Sequence, residues 1–469
     1  MNRLNDALSR RKSYEPLMGS QSEVLDTSVD EDDTGLDPFS WVDYSIFFLL
    51  GIAMLWAWNM FLAAGPYLQV RFADNDWLLT NFQSGELTVS TATNLGTMII
   101  LSKIQSKASY PRRIVISLLI NMLVFTLLAF STKLFLNISP SAYFGVLIVM
   151  VFFASLASGF CQNGAFAFAS SFGRDEYMQA IMTGQGVAGL LPSIAQIILT
   201  LSVPDDDADE TVGTGSSSAA FAYFLTATGV SLVTLIAFGY LQKRHHRIKH
   251  LRRYRKHQTR HSEDRDDLSI EEHDPLSSSI MASSVMSRRY VPLSRLFRKL
   301  LPLALAVFTT FLITMCFPVF TQQIFSVTDP AKAGPLLQNA VFIPLGFLVW
   351  NIGDFLGRVS SGFTALRTPL VTRPYMLFVL ALARVVFIPL YVSCNINGRG
   401  AWIASDAFYL LIIQLPFGFT NGLLGASSMI GANEWVDVEE REAAGGFMGM
   451  CLVGGLTAGS LLSFIAARA

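Results

Sequence analysis

Long apolar runs constrain this chain more than any other feature of its sequence. Eleven stretches are each about 20 residues long, the length of a helix that crosses a bilayer. They lie at residues 42–64, 83–104, 113–132, 142–169, 180–202, 218–241, 300–321, 336–362, 374–394, 404–430 and 443–466. Only 15% of the residues are charged, against about a quarter in soluble domains. The sequence therefore predicts an all-α polytopic membrane protein with about 11 transmembrane helices.

Polar segments divide these spans into groups of six and five. Residues 1–41 are rich in Ser, Asp, Glu and Arg and predict a disordered cytosolic tail, because they offer little apolar surface. Residues 42–241 would form an N-terminal bundle of six spans, and 300–469 a C-terminal bundle of five. The segment between them, 242–299, is basic, then acidic, then Ser-rich, and reads as a cytosolic linker.

Basic loops predict the orientation of the spans. Positive charge concentrates at 103–113 and 243–260, and such loops stay in the cytosol. The N-terminus would then be cytosolic and the C-terminus lumenal or extracellular. The tail carries Tyr14-Glu15-Pro16-Leu17, which has the form of an endomembrane sorting signal that sorting machinery reads, although such short patterns also arise by chance. No folded module surrounds the basic cluster, so no nucleic-acid partner is expected.

An acid and an arginine interrupt the eighth apolar run. Asp354 and Arg358 are four residues apart and therefore share one face of a helix. A charge at the bilayer centre costs at least about 2.5 kcal/mol, so such residues usually pair, face the bundle interior and mark a solute path. Two interpretations remain: the pair belongs to a substrate site, or it only joins neighbouring helices.

Other polar and aromatic side chains lie well inside the spans. Trp58 is in the middle of the first run, away from the interfaces where tryptophan is usual, and is a candidate for stacking on a flat ring. Gln162 offers a donor and an acceptor to the edge of a heterocycle, or equally to another helix. Glu86, in the second run, either titrates inside the membrane or is hydrated near its outer face; the sequence favours hydration.

Motifs of enzymes and metal sites are absent from the sequence. It has no G-x-S-x-G, H-E-x-x-H or P-loop pattern, and its four cysteines stand singly. No catalytic residue, cofactor or metal is therefore expected. Aromatic, amide, carboxylate and guanidinium groups inside a membrane suit a small, uncharged, polyhydroxylated aromatic solute.

Six motifs in different spans carry a resemblance to a known family. They are Trp58-Asn59, Gln162-Asn163, Gly184-Gln185, Asn351-x-x-Asp354-x-x-Gly357-Arg358, the stretch 383–390, and Asn421-Gly422. In these positions the sequence resembles the equilibrative nucleoside transporters, and the likeness covers nearly all spans. The resemblance implies a major-facilitator-like bundle of six and five helices, with the solute near the midplane between the two bundles.

The resemblance also implies a set of substrate-binding residues. The set consists of Leu55, Trp58, Leu62, Gln162, Asn351, Asp354, Arg358 and Leu456. Trp58 and the two nearby leucines would pack around the nucleobase, and Gln162 would form a hydrogen bond with the edge of the base. Asp354 and Arg358 would engage the ribose hydroxyls, and Leu456 would close the apolar side.

The expected function is facilitative transport of nucleosides, and of nucleobases as a second class, by alternating access. A proton-coupled symporter of an acidic compartment is one alternative, with Glu86 or Asp354 as the titrating group. A membrane receptor or scaffold without transport is the other. The long acidic tail resembles family members of lysosomal or vacuolar membranes more than the short-tailed members of the plasma membrane.

Overall fold

Eleven long helices make up most of the molecule. The structure is a computed structural model, and it describes residues 39–105, 109–135, 138–202, 217–266, 291–329 and 334–468. We label the long helices α1–α11 in chain order: Trp41–Ala63, Asp76–Lys103, Tyr110–Leu134, Pro140–Ser171, Asp175–Ser202, Ser217–Asp266, Leu293–Thr314, Asn339–Ser360, Pro374–Ala383, Leu415–Gly431 and Arg441–Arg468. Each of the predicted runs overlaps one of these helices.

Two of the helices continue in irregular form. α9 passes through a 3₁₀ turn at Arg384–Val386 into the short helix Phe387–Val392, and together they make one span. α10 is preceded by a π-helical segment at Phe408–Gln414. π-helical turns are rare and often mark functional positions.

Ten of the long helices, counted within the described residues, are apolar enough to cross a membrane. α2 is the exception, because hydroxyl and amide side chains and Glu86 run along it. Its 28 residues span about 42 Å at 1.5 Å per residue, and it packs lengthwise against α4 and α11. A membrane helix can carry such polar residues where they face other helices instead of lipid. The all-α polytopic fold is confirmed.

The predicted linker differs from what the structure describes. α6 continues as a helix to Asp266, well beyond the predicted end of the span at residue 241. Its basic stretch contains no Pro or Gly to stop it. α7 begins at Leu293, so the last seven residues of the predicted linker form its first two turns. The predicted tail up to residue 38, with its sorting motif, and residues 267–290 lie outside the described residues.

The helices pack in two groups that meet along two interfaces. α1–α6 contact mainly one another, and α7–α10 contact mainly one another and α11. α5 packs against α8 at the first interface, and α11 packs against α2 and α4 at the second. Residues 39–469 form one compact unit, so the division into two separate bundles stays a prediction.

Ion pairs join α7 to the loop before α11 at the end of the bundle where α1 begins, here called the Trp41 end. Lys299 Nζ in α7 lies 2.8 Å from Asp437 Oδ2 and 2.5 Å from Glu440 Oε2, in the loop before α11. Arg295 Nε lies 2.6 Å from Glu440 Oε1. The hydrogen bond from Lys299 lowers the pKa of Asp437 below its ordinary value. The acidic loop before α11 therefore has basic partners at the same end of the bundle.

Candidate functional site

Asp354 and Arg358 form an ion pair inside the bundle. Arg358 Nε donates to Asp354 Oδ2 over 2.7 Å, and each residue is only 4% exposed. Their spacing puts them one turn apart on α8, as the sequence predicted. A buried pair is stable only if the remaining donors and acceptors are also satisfied. Those additional partners come from two other helices.

Arg358 reaches across the α5–α8 interface. Its Nη1 donates to the carbonyl oxygen of Met182 and to Gln185 Oε1, both at 3.0 Å. Gln185 in turn donates to the sulfur of Met54 in α1 over 3.3 Å. Among the described residues, Arg358 Nη2 makes no hydrogen bond. One arm of the guanidinium is thus available for a further acceptor.

Asn421 holds the second oxygen of the carboxylate. This residue of α10 is 1% exposed, and its Nδ2 donates to Asp354 Oδ1 over 2.7 Å. Both oxygens of Asp354 therefore accept a hydrogen bond, one from Arg358 on the next turn of α8 and one from Asn421 in α10. A carboxylate oxygen has two acceptor sites, so each still has capacity for a hydroxyl donor.

Asn351 lies two turns before Arg358 on α8 and faces the same interface. Its Nδ2 donates to Ser193 Oγ in α5 over 3.0 Å and to the carbonyl oxygen of Phe347 over 2.9 Å. A Cβ on Gly189 would approach Asn351 Oδ1 to 2.6 Å. The glycine is what allows the amide to fit between the helices.

The predicted residues of α1 lie on a helix that contacts α5 close to Asn351. Asn59 Nδ2 donates to the carbonyl oxygen of Ala188 in α5 over 2.7 Å, next to the glycine that touches Asn351. Trp58 is half-buried, and its ring lies 6.4 Å from that of Phe61. Leu55 is also half-buried, whereas Leu62 is 60% exposed.

Gln162 lies on α4, one of the helices of the second interface. It is 4% exposed, and its Oε1 has no hydrogen-bond partner in the described structure. One turn away, a Cβ on Gly159 would meet Asn94 Oδ1 of α2 at 3.2 Å, and that oxygen also lacks a partner. Asn163, by contrast, accepts a hydrogen bond from the buried Arg113 of α3. The amide pair thus divides into one satisfied and one unsatisfied side chain.

Leu456 and Glu86 are both withdrawn from solvent, Leu456 in part and Glu86 almost fully. Leu456 in α11 is half-buried and packs against the main apolar core. Glu86 is 6% exposed and its Oε1 has no partner among the described residues. The expectation that Glu86 is hydrated near the membrane surface is corrected, since α2 turns it inward on the same face as Leu78 and Phe82.

The structure brings three of the eight predicted residues together directly. Asn351, Asp354 and Arg358 share α8, while Gln162 and Leu456 lie on helices of the second interface. Within the described residues, no hydrogen bond or ion pair joins Trp58, Gln162 or Leu456 to the Asp354–Arg358 pair. Sequence reasoning assigned no role to the partners Gln185 and Asn421, although both stand in the motifs noted above. The described residues also contain no group of three His, Cys, Asp or Glu placed to hold a metal ion.

Two solved transporters share the fold of this chain. The chain superposes on the Escherichia coli fucose:proton symporter FucP with a TM-score of 0.51 and 14% identity, over 91% of this chain and 96% of that one. It superposes on the human organic anion transporter MFSD10 with a TM-score of 0.53 and 13% identity, over 92% and 95%. The major-facilitator-like architecture is therefore confirmed.

Sequence comparisons identify the family. Nucleoside transporter FUN26 of Saccharomyces cerevisiae is 31% identical, over 90% of this chain and 84% of its own length. Human equilibrative nucleoside transporter 1 is 28% identical, over 90% and 95%. A family model described as nucleoside transporter matches residues 148–467. The resemblance carried by the motifs is confirmed, and the chain belongs to the nucleoside transporter family.

Proposed function

We infer that this protein is a facilitative nucleoside transporter, an integral multi-pass membrane protein and not an enzyme. Family membership and the transporter fold support the inference. The observation that carries it within the structure is the buried Asp354–Arg358 pair at the interface between the two helix groups. Intramembrane ion pairs that face the bundle interior mark solute paths.

The proposed site uses the pair for the sugar and the other interface residues for the base. Asp354 would accept hydrogen bonds from the ribose hydroxyls, and Arg358 Nη2 would donate to a ribose oxygen. Gln162 Oε1 lacks a partner among the described residues, so an N–H on the base edge would satisfy it. Trp58 would stack on the ring. Asn351, Leu55, Leu62 and Leu456 complete the proposed lining.

Alternating access requires the two helix groups to separate and close in turn. Several contacts between them lie at the Trp41 end, including Arg367 Nη2 with Asp175 Oδ2 at 2.9 Å. The close approach of Gly445 to the carbonyl oxygen of Phe166 is another. We propose that these contacts break when the path opens at this end. The solute gradient sets the direction of net flux, and bound nucleoside shifts the equilibrium only by binding one state more tightly.

The compartment and orientation remain proposals from the sequence. The basic residues at 103–113 and 243–247 support a cytosolic Trp41 end, with the last helix ending on the lumenal or extracellular side. The acidic tail supports a vacuolar or lysosomal membrane over the plasma membrane, with sorting machinery reading Tyr14. Microscopy of a fluorescent fusion and of its Tyr14→Ala variant tests this: a plasma-membrane signal for the unmutated fusion would contradict the proposal.

Proton coupling is the second candidate mechanism and rests on Glu86. Its carboxyl is buried and has an oxygen without a partner in the described structure, and intramembrane carboxyls that face the bundle interior serve in the proton relays of pumps and transporters. The receptor or scaffold alternative has no comparable support. The curated relatives reported above are named as transporters.

Uptake into proteoliposomes of purified protein tests the transport function. We expect saturable uptake of labelled uridine that stops at equilibrium, with adenine as the nucleobase comparison. Trp58→Ala should raise KM about 10-fold, since stacking of a base on an aromatic ring contributes about 1–3 kcal/mol. Trp402→Ala is the matched control, because Trp402 is 94% exposed and should leave KM unchanged.

An imposed pH gradient separates the two mechanisms. A facilitative carrier does not accumulate uridine in response to the gradient. Accumulation above equilibrium that disappears in Glu86→Gln would establish the symporter instead. Absence of flux for both solutes, in protein that remains monodisperse, would contradict the transport function.

A further inference from the structure

A second arginine is buried in the same part of the bundle. Arg384 lies in the 3₁₀ turn that breaks α9 and is only 2% exposed. Its guanidinium lies over the ring of Phe417, 4.5 Å from the centroid. The described residues place no carboxylate within ion-pair distance of it. Burying a guanidinium without a counter-ion is costly, so this position calls for an explanation.

Neutral acceptors on two helices hold the guanidinium. Arg384 Nη1 donates to the carbonyl oxygen of Thr310 over 2.5 Å, and Nη2 donates to Thr314 Oγ1 over 3.1 Å, both in α7. In α10, Nη2 also donates to the carbonyl oxygen of Phe417 over 3.3 Å, and Nε donates to Thr420 Oγ1 over 3.2 Å. Arg384 therefore fixes the position of α10 relative to α7.

One of these contacts continues to the Asp354–Arg358 pair. Thr314 Oγ1 lies 2.6 Å from Asn421 Oδ1, and Asn421 Nδ2 donates to Asp354 Oδ1. The chain runs from Arg384 through Thr314 and Asn421 to Asp354, and every member is at most 7% exposed. It links α9, α7, α10 and α8.

Hydrogen-bond chemistry gives this chain one direction. Arginine only donates and a carboxylate only accepts. Because Asp354 can only accept, the Asn421 amide turns its NH₂ toward Asp354 and its Oδ1 toward Thr314, which donates to it. The carbonyl oxygen of Thr310, 2.7 Å from Thr314 Oγ1, competes for the same proton. Arg384 Nη1 donates to that carbonyl oxygen, so loss of the arginine would strengthen the competition and weaken the contact between Thr314 and Asn421.

We propose that Arg384 is a positioning residue for the substrate site, acting through Thr314 and Asn421 to orient the Asp354 carboxylate toward the ribose. The proposal rests on the proposed function, because it assumes that Asp354 binds the ribose hydroxyls. It assigns no substrate contact to Arg384 itself. Arranging the acceptor in advance lowers the cost of ordering it when the nucleoside binds.

Two threonines with the same Arg384 contact provide a matched test. Thr314→Val removes the hydroxyl that connects Arg384 to Asn421 but keeps the side-chain shape. Thr420→Val removes another hydroxyl that accepts from Arg384, and that hydroxyl does not lead to Asp354. We expect Thr314→Val to raise KM for uridine about 10-fold, the effect of losing about 1.4 kcal/mol, and Thr420→Val to change it less than about twofold.

Conservative variants separate positioning from packing. Thr314→Ser keeps the hydroxyl and loses a methyl group, so it should transport like the unmutated protein. A packing role predicts the reverse order, with valine tolerated better than serine. Arg384→Lys loses the planar fork and should raise KM to the same extent as Thr314→Val. The double variant of Thr314→Val with Arg384→Lys should raise KM no more than either single variant does, if both residues act through one chain of hydrogen bonds.

The ratio of KM for 2′,3′-dideoxyuridine to KM for uridine reports on the ribose contact. We expect at least about a 10-fold ratio for the unmutated protein, falling toward one in Asp354→Asn and in Thr314→Val. If Asp354→Asn removes the discrimination but Thr314→Val and Arg384→Lys keep it, the Arg384 proposal is wrong and the proposed site stands. If the unmutated protein does not discriminate, both proposals fail.

Discussion

Replacing Arg358 with alanine is expected to reduce uridine uptake at least about 100-fold and to lower the free energy of unfolding by about 3–5 kcal/mol. The variant leaves Asp354 buried at 4% exposure with Asn421 as its remaining partner. It also removes the hydrogen bonds to Met182 and Gln185 that cross the α5–α8 interface. Thermal unfolding in detergent and uptake in proteoliposomes measure the two effects separately.

A double variant decides whether the pair binds substrate or only joins helices. Asp354→Asn with Arg358→Gln removes both charges, so no uncompensated charge remains buried and most of the stability should return. If the pair binds ribose, uptake stays low although the protein is stable. Uptake that returns together with stability would show that the pair only joins the helices.

Arg367→Ala is the matched control for the loss of an arginine–carboxylate contact. Arg367 pairs with Asp175 across the same interface, but at the Trp41 end and with its side chain 14% exposed. We expect a smaller loss of stability than in Arg358→Ala and an unchanged KM for uridine. The rate of transport can change, because this contact must break when the path opens.

Hydropathy predicted most of the helices, because a run of about 20 apolar residues is enough to identify a membrane-spanning helix. Ten helices meet the criterion of length and apolarity, and the ends of these spans lie within seven residues of the predicted runs, apart from the helical continuation of α6. α2 does not meet that criterion, since polar residues run along it toward α4 and α11, and such packing is not visible in a hydropathy plot. The continuation of α6 to Asp266 was missed because a polar composition does not distinguish a linker from a solvated helix.

The ion pair could be predicted because charges inside a span are rare, whereas its partners could not. Gln185 is 173 positions from Arg358, and Asn421 is 67 from Asp354. No local pattern in either segment indicates which helix it will contact. Thr314 gave no signal at all, since a threonine in a membrane helix usually bonds its own backbone. The burial of Glu86 likewise depends on the rotation of α2, which hydropathy leaves open.

Two pairs of glycines bring α8 and α10 into backbone contact where the site lies. A Cβ on Gly353 or Gly357 in α8 would come within 2.3 Å and 2.1 Å of carbonyl oxygens in α10. A Cβ on Gly418 or Gly422 in α10 would come within 2.1 Å and 2.0 Å of carbonyl oxygens in α8. Each pair has the G-x-x-x-G spacing that lets membrane helices approach closely. This contact allows Asn421 to reach Asp354.

Gly422→Ala is therefore expected to reduce uridine uptake about 100-fold. The added methyl would lie 2.0 Å from the carbonyl oxygen of Asp354 itself, and backbone on both sides cannot yield without separating the helices. Overpacking of this kind costs about 1–3 kcal/mol, and the separation also breaks the 2.7 Å bond between Asn421 and Asp354. Uptake per folded protein, with the melting temperature measured in parallel, checks the prediction.

Gly229→Ala in α6 supplies the control, because a Cβ there meets nothing within 4 Å. It should leave uptake and stability unchanged or slightly improved, since alanine is the better helix former. If Gly422→Ala matched Gly229→Ala in both measurements, α8 and α10 would have room to spare, and the site would not depend on their contact. If Gly422→Ala instead unfolds the protein, Gly353→Ala provides a second test. Gly353 belongs to the same contact between α8 and α10 but lies away from Asn421. This variant therefore shows whether uptake is lost through the helix contact or through the Asp354 carboxylate.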